Sequence, residues 1–411
     1  MMHAPADTPY DAWSPARLTW SQMRQRVGEM LCGMLAAVRG GVAWVFRGVG
    51  RCIRGVFWAI SRGVSLVALA ALLAGVAAIP VLNVWALGAL LEAEAAVART
   101  GRLRCGFPLR RAAARLGGML LGAAVFLLPL QFLAGFAADA VIVDPDGMVT
   151  RRLARATWIA AAAVGTHLLL AVLRGGRFRD FFRPIANLRG GWRILRGRVR
   201  LDEAVKPLQG MFADLQPWAT WRTGLVGGLG VLAWTLVPTT LYAAADAARG
   251  PAIIVTILGG LLLAAVLTWV PILQAGYARD RSWRCFGRLA EARLLFARCP
   301  LLWTLVFFFG YAGSLVLYLF KIIAAPQDAV WLMTPFFILV TYPVRLAAGW
   351  VYARASQRET LPWAAWRYGW GAVSVLLVGF YVVLLFFTRD IGAYGKLVLY
   401  QQPFLLVPTP F

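Results

Sequence analysis

The stretch that decides the fold reads AIIVTILGGLLLAAVLTWVPILQ over residues 252–274 and continues AGYARDRSWRCFGRLAEARLLFARCP over 275–300. The first part has no charge in 23 residues, enough helix at ~1.5 Å per residue to cross a hydrocarbon core of ~30 Å. The second part carries six Arg. A charge-free apolar run that ends in an arginine block is the signature of a membrane helix reaching the cytoplasmic face.

The same alternation repeats in both directions. Apolar spans are read at 64–91, 116–138, 153–173, 223–245, 252–274, 301–323, 329–350 and 369–388. The connection 92–115 carries six Arg, 174–221 nine Arg plus Lys206, 275–300 six and 351–368 three. On the other side, 139–152 has only Arg151 and Arg152, 246–251 has one Arg, 324–328 none, and 389–411 has Arg389 and Lys396. Twenty-five basic residues face five, which assigns the rich connections to the cytoplasm. The expected architecture is all-α, a polytopic integral membrane bundle of seven or eight transmembrane segments in a bacterial cytoplasmic (inner) membrane. Residues 1–63 form a basic cytoplasmic or interfacial region. Residues 64–388 form the membrane domain, and 389–411 a short extracytoplasmic tail.

Composition agrees. Of 411 residues 60% are hydrophobic and 15% charged, with mean hydropathy +0.68, whereas soluble proteins carry about 25% charged residues. The net charge of +24 suits nucleic acid in a soluble protein. Here membrane-flanking Arg accounts for it, and no nucleic-acid partner is expected. Five Cys form no Cys-x-x-Cys pair and no zinc spacing. All lie on or near the cytoplasmic side of this topology, so reduced thiols are expected. The first 20 residues lack a signal-peptide core.

The segment 64–91 conflicts with the charge rule, because basic residues flank both ends. Two full crossings need about 40 residues, more than the 28 present. It is either one long helix or a re-entrant hairpin broken at Pro80, with Asn83 just beyond; proline removes a backbone donor and favours a break. Ile79-Pro80-Val81-Leu82-Asn83 resembles Val270-Pro271-Ile272-Leu273-Gln274, and Arg104-Cys105 with Phe107 resembles Arg284-Cys285-Phe286. Duplicated halves of this kind occur in transporters, and the pattern predicts proline-broken helices at both Asn83 and Gln274.

Two regions read as interfacial. From Arg17 to Arg62 the chain is basic and amphipathic. In 174–221, aromatic and aliphatic residues from Phe178 to Val199 interleave with Arg, interrupted by Pro184 and Gly190-Gly191. Two short helices lying in the headgroup region are expected there, with anionic phospholipids as their partner.

Ionisable residues inside spans are functional candidates. His167 lies in the third span, and Arg345 follows Pro343 near the inner end of its span, where it can snorkel. Glu92 and Glu94 sit just past an apolar run. Together Asn83, Gln274, His167 and Arg345 form the candidate set for a midplane cavity. Two histidines cannot build a multi-His metal centre, and no catalytic, cofactor-binding or metal-ligating residues are assigned. A Ser314–His167 dyad is the sole hydrolase option. Gly224, Gly227, Gly228 and Gly230 read as a helix-packing face.

The stretches 79–103 and 270–300 resemble a recurrent pattern in large polytopic proteins of planctomycete-type bacteria. So do Tyr318-Leu-Phe-Lys321, Val330-Trp331, Tyr342-Pro-Val-Arg345 and Gly349-Trp350-Val-Tyr352. These are similar to a broader bacterial and archaeal membrane family of unknown function. The resemblance covers most of 64–360, implies a membrane fold, and brings no site residues. The expected function is a non-enzymatic accessory or membrane-organising component with lipid, and a membrane protein, as partners. The alternative is a transporter or lipid-handling permease with a midplane site near the proline-broken helices.

Overall fold

The computed structural model describes residues 62–246, 251–322, 333–388 and 395–406, with Met23, Arg24, Gly28 and Met30 before them. The interfacial helix expected over 17–62 lies outside the described residues, Arg62 and those four positions apart. Nearly all described residues belong to the unit Val64–Phe411. They form helices with no strand among them. We number these α1 (Arg62–Ala77), α2 (Asn83–Thr100), α3 (Arg110–Val143), α4 (Met148–Leu173), α5 (Phe178–Phe181), α6 (Pro184–Leu195), α7 (Leu201–Leu215), α8 (Pro217–Tyr242), α9 (Pro251–Asp280), α10 (Leu289–Arg298), α11 (Pro300–Ile322), α12 (Thr334–Gln357) and α13 (Ala364–Thr388). Seven are long and apolar enough to cross a bilayer. The chain is an all-α, multi-pass membrane protein.

The segment 64–91 is broken. Helix α1 stops at Ala77, and five residues of turn lead into α2. The turn closes with Leu82 N–H donating to Pro80 O at 2.8 Å and places Val81 at φ +70°. The Trp221 indole of α8 donates to Val81 O at 3.2 Å. Both limbs feed one apolar cluster, with Leu69, Leu73 and Ala77 from α1 and Trp85, Ala86 and Ala89 from α2.

Three expectations need correction. The connection read as 92–115 is mostly helix, since α2 carries Glu92 and Glu94 through to Thr100. Pro271 does not break its helix; α9 runs unbroken across it. Its ring removes the donor for the carbonyl four residues back, Leu267, and the Tyr311 hydroxyl of α11 donates to that oxygen instead. A freed backbone carbonyl in a membrane is tolerated when a neighbouring side chain bonds it. In 174–221 there are three helices rather than two. Pro184 starts α6 at a position where its missing N–H is harmless, and Gly190-Gly191 lie inside α6 rather than interrupting it.

Helix α2 is the centre of the bundle, with 12 of its 18 residues buried. Water drives little association between helices in lipid, so close van der Waals packing of small residues does the work. A Cβ on Gly88 would lie 1.9 Å from Thr220 O of α8, and one on Gly224 of α8 would lie 1.9 Å from Val84 O. On the other flank a Cβ on Gly349 of α12 would lie 2.4 Å from Glu94 O. Helix α2 is thus held backbone to backbone between α8 and α12. By contrast, α3 and α4 have only 11% and 6% of their apolar windows buried, against 61% for α12. They pack on each other and on α5–α7.

Candidate functional site

Arg345 lies on α12 with Pro343 two residues before it, and it is 2% exposed. It does not snorkel to an interface. Its Nη1 donates to Glu94 Oε2 at 3.0 Å and to Gln274 Oε1 at 2.8 Å. Its Nη2 donates to the carbonyl of Leu405 at 2.8 Å. Gln274 Nε2 donates to the same carbonyl at 2.9 Å. Helices α2, α9 and α12 and the segment after α13 therefore meet at one guanidinium. The Phe404 ring adds a cation–π contact, its centroid 5.6 Å from Arg345 Cζ. Glu94 and Gln274 are both fully buried.

Each member is there for a local reason. Helix α2 is rich in alanine and leucine on either side of Glu94, so it continues as a helix buried in the bundle and takes the carboxylate with it. A charge so placed must be paired, and the small residues Ala98 and Gly349 bring α12 close enough for Arg345 to serve. The pairing leaves Glu94 Oε1 and Arg345 Nε without a hydrogen-bond partner among the described residues. Two residues before Glu94, Glu92 pairs with Arg281 at the end of α9, and Arg281 also donates to Thr223 of α8. Two carboxylates of one helix thus lock it to two neighbours.

The segment expected as a free tail is part of this core. Val398, Leu399, Phe404 and Leu405 are buried, as is Gln402. Tyr318 donates to Gln401 O, and the Tyr381 hydroxyl donates to Gln402 Oε1 at 2.8 Å. Gly310 on α11 accommodates the Phe404 ring, 2.8 Å from where a Cβ would stand. Residues 395–406 therefore form a strap bound by backbone carbonyls to Arg345, Gln274 and Tyr318.

Of the four residues expected to converge, Gln274 and Arg345 do. Asn83 opens α2, eleven residues or about 16 Å of helix before Glu94. His167 is in α4, where Nε2 bonds Phe181 O at 2.7 Å and the ring packs on Phe126 at 4.7 Å. It is a histidine satisfied by its neighbour. Ser314 bonds back to Gly310 O at 2.9 Å within α11, so the Ser314–His167 dyad does not form. Among the described residues no cluster of His, Cys, Asp or Glu could hold a metal ion. Sequence reasoning missed Glu94 and the strap. The signal for Glu94 was its setting, Leu90-Leu91-Glu92-Ala93-Glu94-Ala95-Ala96-Val97, too apolar for a solvated loop. No protein-family model, curated protein or solved structure matches the chain.

Proposed function

We propose that this protein is a non-enzymatic component of a bacterial cytoplasmic membrane, one that holds a fixed helix arrangement and engages the anionic inner leaflet through α5–α7. The observation that supports it is the hub. Where two of the candidate transport residues meet, protein groups already occupy both Arg345 Nη atoms and Gln274 Nε2, with Leu405 O taking Nη2 and Nε2 together. Helices α5–α7, which pack on α3 and α4 as a collar, supply the second half of the reading. On α6, Ile185, Leu188, Trp192 and Leu195 are exposed beside Arg189, Arg193 and Arg196, an apolar face edged with guanidinium groups. The arginine asymmetry of the connections argues for α5–α7 in the cytoplasm with the N-terminal region, and for α13 ending on the outer side.

A permease is the second reading, and the strap favours it. Withdrawing Leu405 would leave a guanidinium and an amide donor aimed at one point, fit for a substrate carboxylate or other acceptor oxygen. Mass spectrometry of the protein purified from its native membrane separates the two. The accessory reading expects enriched anionic phospholipid together with a stoichiometric protein partner. A retained small solute, with neither a protein partner nor an anionic-lipid preference, would replace it by the permease.

A further inference from the structure

A cavity of about 430 Å³ opens where the last turn of α4 meets α6 and the first turns of α7, within the size range of small-ligand sites. Its apolar part is Leu170 and Leu173 of α4 with Ile194 of α6. Arg174, Arg189 and Arg193 also line it, against one carboxylate, Glu203. Arg189 and Arg193 are four apart on α6 and so share a face. Arg174 is held by a neighbour in the lining, since its Nη1 donates to Asn187 Oδ1 at 3.3 Å, and Asn187 Nδ2 donates to Asp180 O at 2.8 Å. Asn187 is 1% exposed, so the clamp is built into the fold.

Two adjacent glycines shape the cavity differently. Gly191 lets α6 lie on α4, because a Cβ there would meet Leu170 Cδ2 at 2.8 Å. Gly190 lines the void, and a Cβ there would meet nothing within 4 Å.

We propose that this cavity binds one anionic glycerophospholipid. The phosphate sits among Arg174, Arg189 and Arg193, and an acyl chain passes Leu170 and Leu173 onto the bare face of α4, where Leu169, Ile159 and Trp158 are exposed. The assignment rests on the collar reading above. Its position supports it, because α4 is long and apolar enough to span a bilayer, and the end of such a helix meets the headgroups. Charge supports it too: three guanidinium groups attract phosphate and repel the ammonium of a zwitterionic headgroup, and Glu203 can accept from a headgroup hydroxyl.

The test uses the full chain in phosphatidylcholine nanodiscs carrying a trace of phosphatidylglycerol with a photoactivatable acyl chain, the adducts being mapped by peptide mass spectrometry. Adducts are expected on the α4 peptide around Leu170 and Leu173, and matched phosphatidylcholine and phosphatidylethanolamine probes should label it about tenfold less. Gly190→Leu fills the void without changing charge, improves helix propensity, and should lower labelling about as much. Arg189→Gln with Arg193→Gln should do the same, whereas Arg151→Gln with Arg152→Gln, at the other end of α4, should not. Thermal unfolding of each variant checks that it is folded. Labelling that falls in the α6 arginine pair but survives Gly190→Leu would overturn the cavity and leave the collar reading standing. No preference for phosphatidylglycerol anywhere would overturn both. Full displacement by soluble glycerol phosphate would mean the site takes a free phosphate ester instead of a lipid.

Discussion

Ile79–Asn83 and Val270–Gln274 share a proline and a leucine at matching positions, with aliphatic residues around them and an amide side chain at the end, and have opposite outcomes. At Pro80 the chain leaves the helix, turns through Val81 at φ +70°, and starts again at Asn83. At Pro271 the helix continues, and three residues on Gln274 enters a fully buried network. A proline in a helix frees a carbonyl one turn back, and the helix can continue only where a neighbour takes that carbonyl; Val76 O instead accepts from Ile79 N–H, at 3.2 Å, in the turn that ends α1. Leu267 O has Tyr311. After Pro80 the polar bond comes from the side of the turn, as Trp221 donates to Val81 O. Tertiary partners, more than the local sequence, decide what each proline does. Downstream the likeness resumes. Helices α2 and α9 are each followed by a short 3-10 turn holding Arg104-Cys105 or Arg284-Cys285, and Phe107 and Phe286 stack on Tyr342 and Tyr277.

The two segments are joined through the hub, Gln274 directly and Asn83 through the helix that carries Glu94. The largest expected effect is therefore at Glu94. Glu94→Leu strands a buried guanidinium, and breaking such a pair costs about 3–5 kcal/mol. The double variant Glu94→Leu with Arg345→Met should recover most of that, because apolar replacement of a buried pair is often neutral. Thermal unfolding in detergent reads both. A double variant as unstable as the single one would show that the hub holds the helices by more than charge pairing.

The next effect tests the account of Pro271. Tyr311→Phe leaves Leu267 O unpaired at membrane depth, at a cost of about 1–3 kcal/mol. Adding Pro271→Ala returns an amide donor to that carbonyl and should rescue the loss, while Pro271→Ala alone should change little. If the second substitution fails to rescue Tyr311→Phe, the hydroxyl acts through packing with Tyr381 and Phe404 rather than as the proline's substitute donor.

The spans were legible because charge-free windows and arginine blocks are local properties, and half the hub was legible because Gln274 and Arg345 are polar residues in apolar helices. Glu94 was not, since Arg99 and Arg102 pulled the apparent start of the loop back to residue 92. Leu405 could not be, because its contribution is a backbone carbonyl, identical in every residue and placed by a segment 60 positions from Arg345. Asn83 and His167 have the right residue type in the right kind of segment, and only packing shows that α4 stands apart from α2, α9 and α12. The same limit explains why α9 was expected to break: the donor that prevents it is on α11.

A smaller effect sharpens the other side of the comparison. Val81 is β-branched and held at positive φ, a conformation that costs about 1–3 kcal/mol, and at 68% exposed it packs little. Val81→Gly removes the strain but frees the unfolded chain, which returns about 0.4–1 kcal/mol. A net stabilisation of about 1 kcal/mol is expected, seen as a small rise in unfolding midpoint. Ile272→Gly, at the matching position inside α9 where the side chain is 1% exposed, should instead destabilise by about 3 kcal/mol or more from helix propensity and lost packing. Equal effects at both sites would mean that the turn after Pro80 is not strained.

The last difference is one of reactivity and leaves stability unchanged. The paired Arg-Cys steps end in thiols of different setting, Cys105 half-buried and Cys285 buried. Burial pushes the Cys285 thiol above its ordinary pKa, and the neighbouring Asp280 carboxylate pushes the same way. Burial also raises Cys299, against the pull of Arg358. A raised pKa lowers the thiolate fraction at any given pH below it, and thiolate is the nucleophile. Maleimide labelling near neutral pH should therefore reach Cys105 first. Labelling of Cys285 and Cys299 should be slow and should keep rising with pH beyond the range of an ordinary thiol. Mass spectrometry of the three peptides over a pH series reads this directly. Cys285 labelling as fast as Cys105 would mean that the 3-10 turn after α9 opens to solvent, and the contrast between the two Arg-Cys steps would be lost.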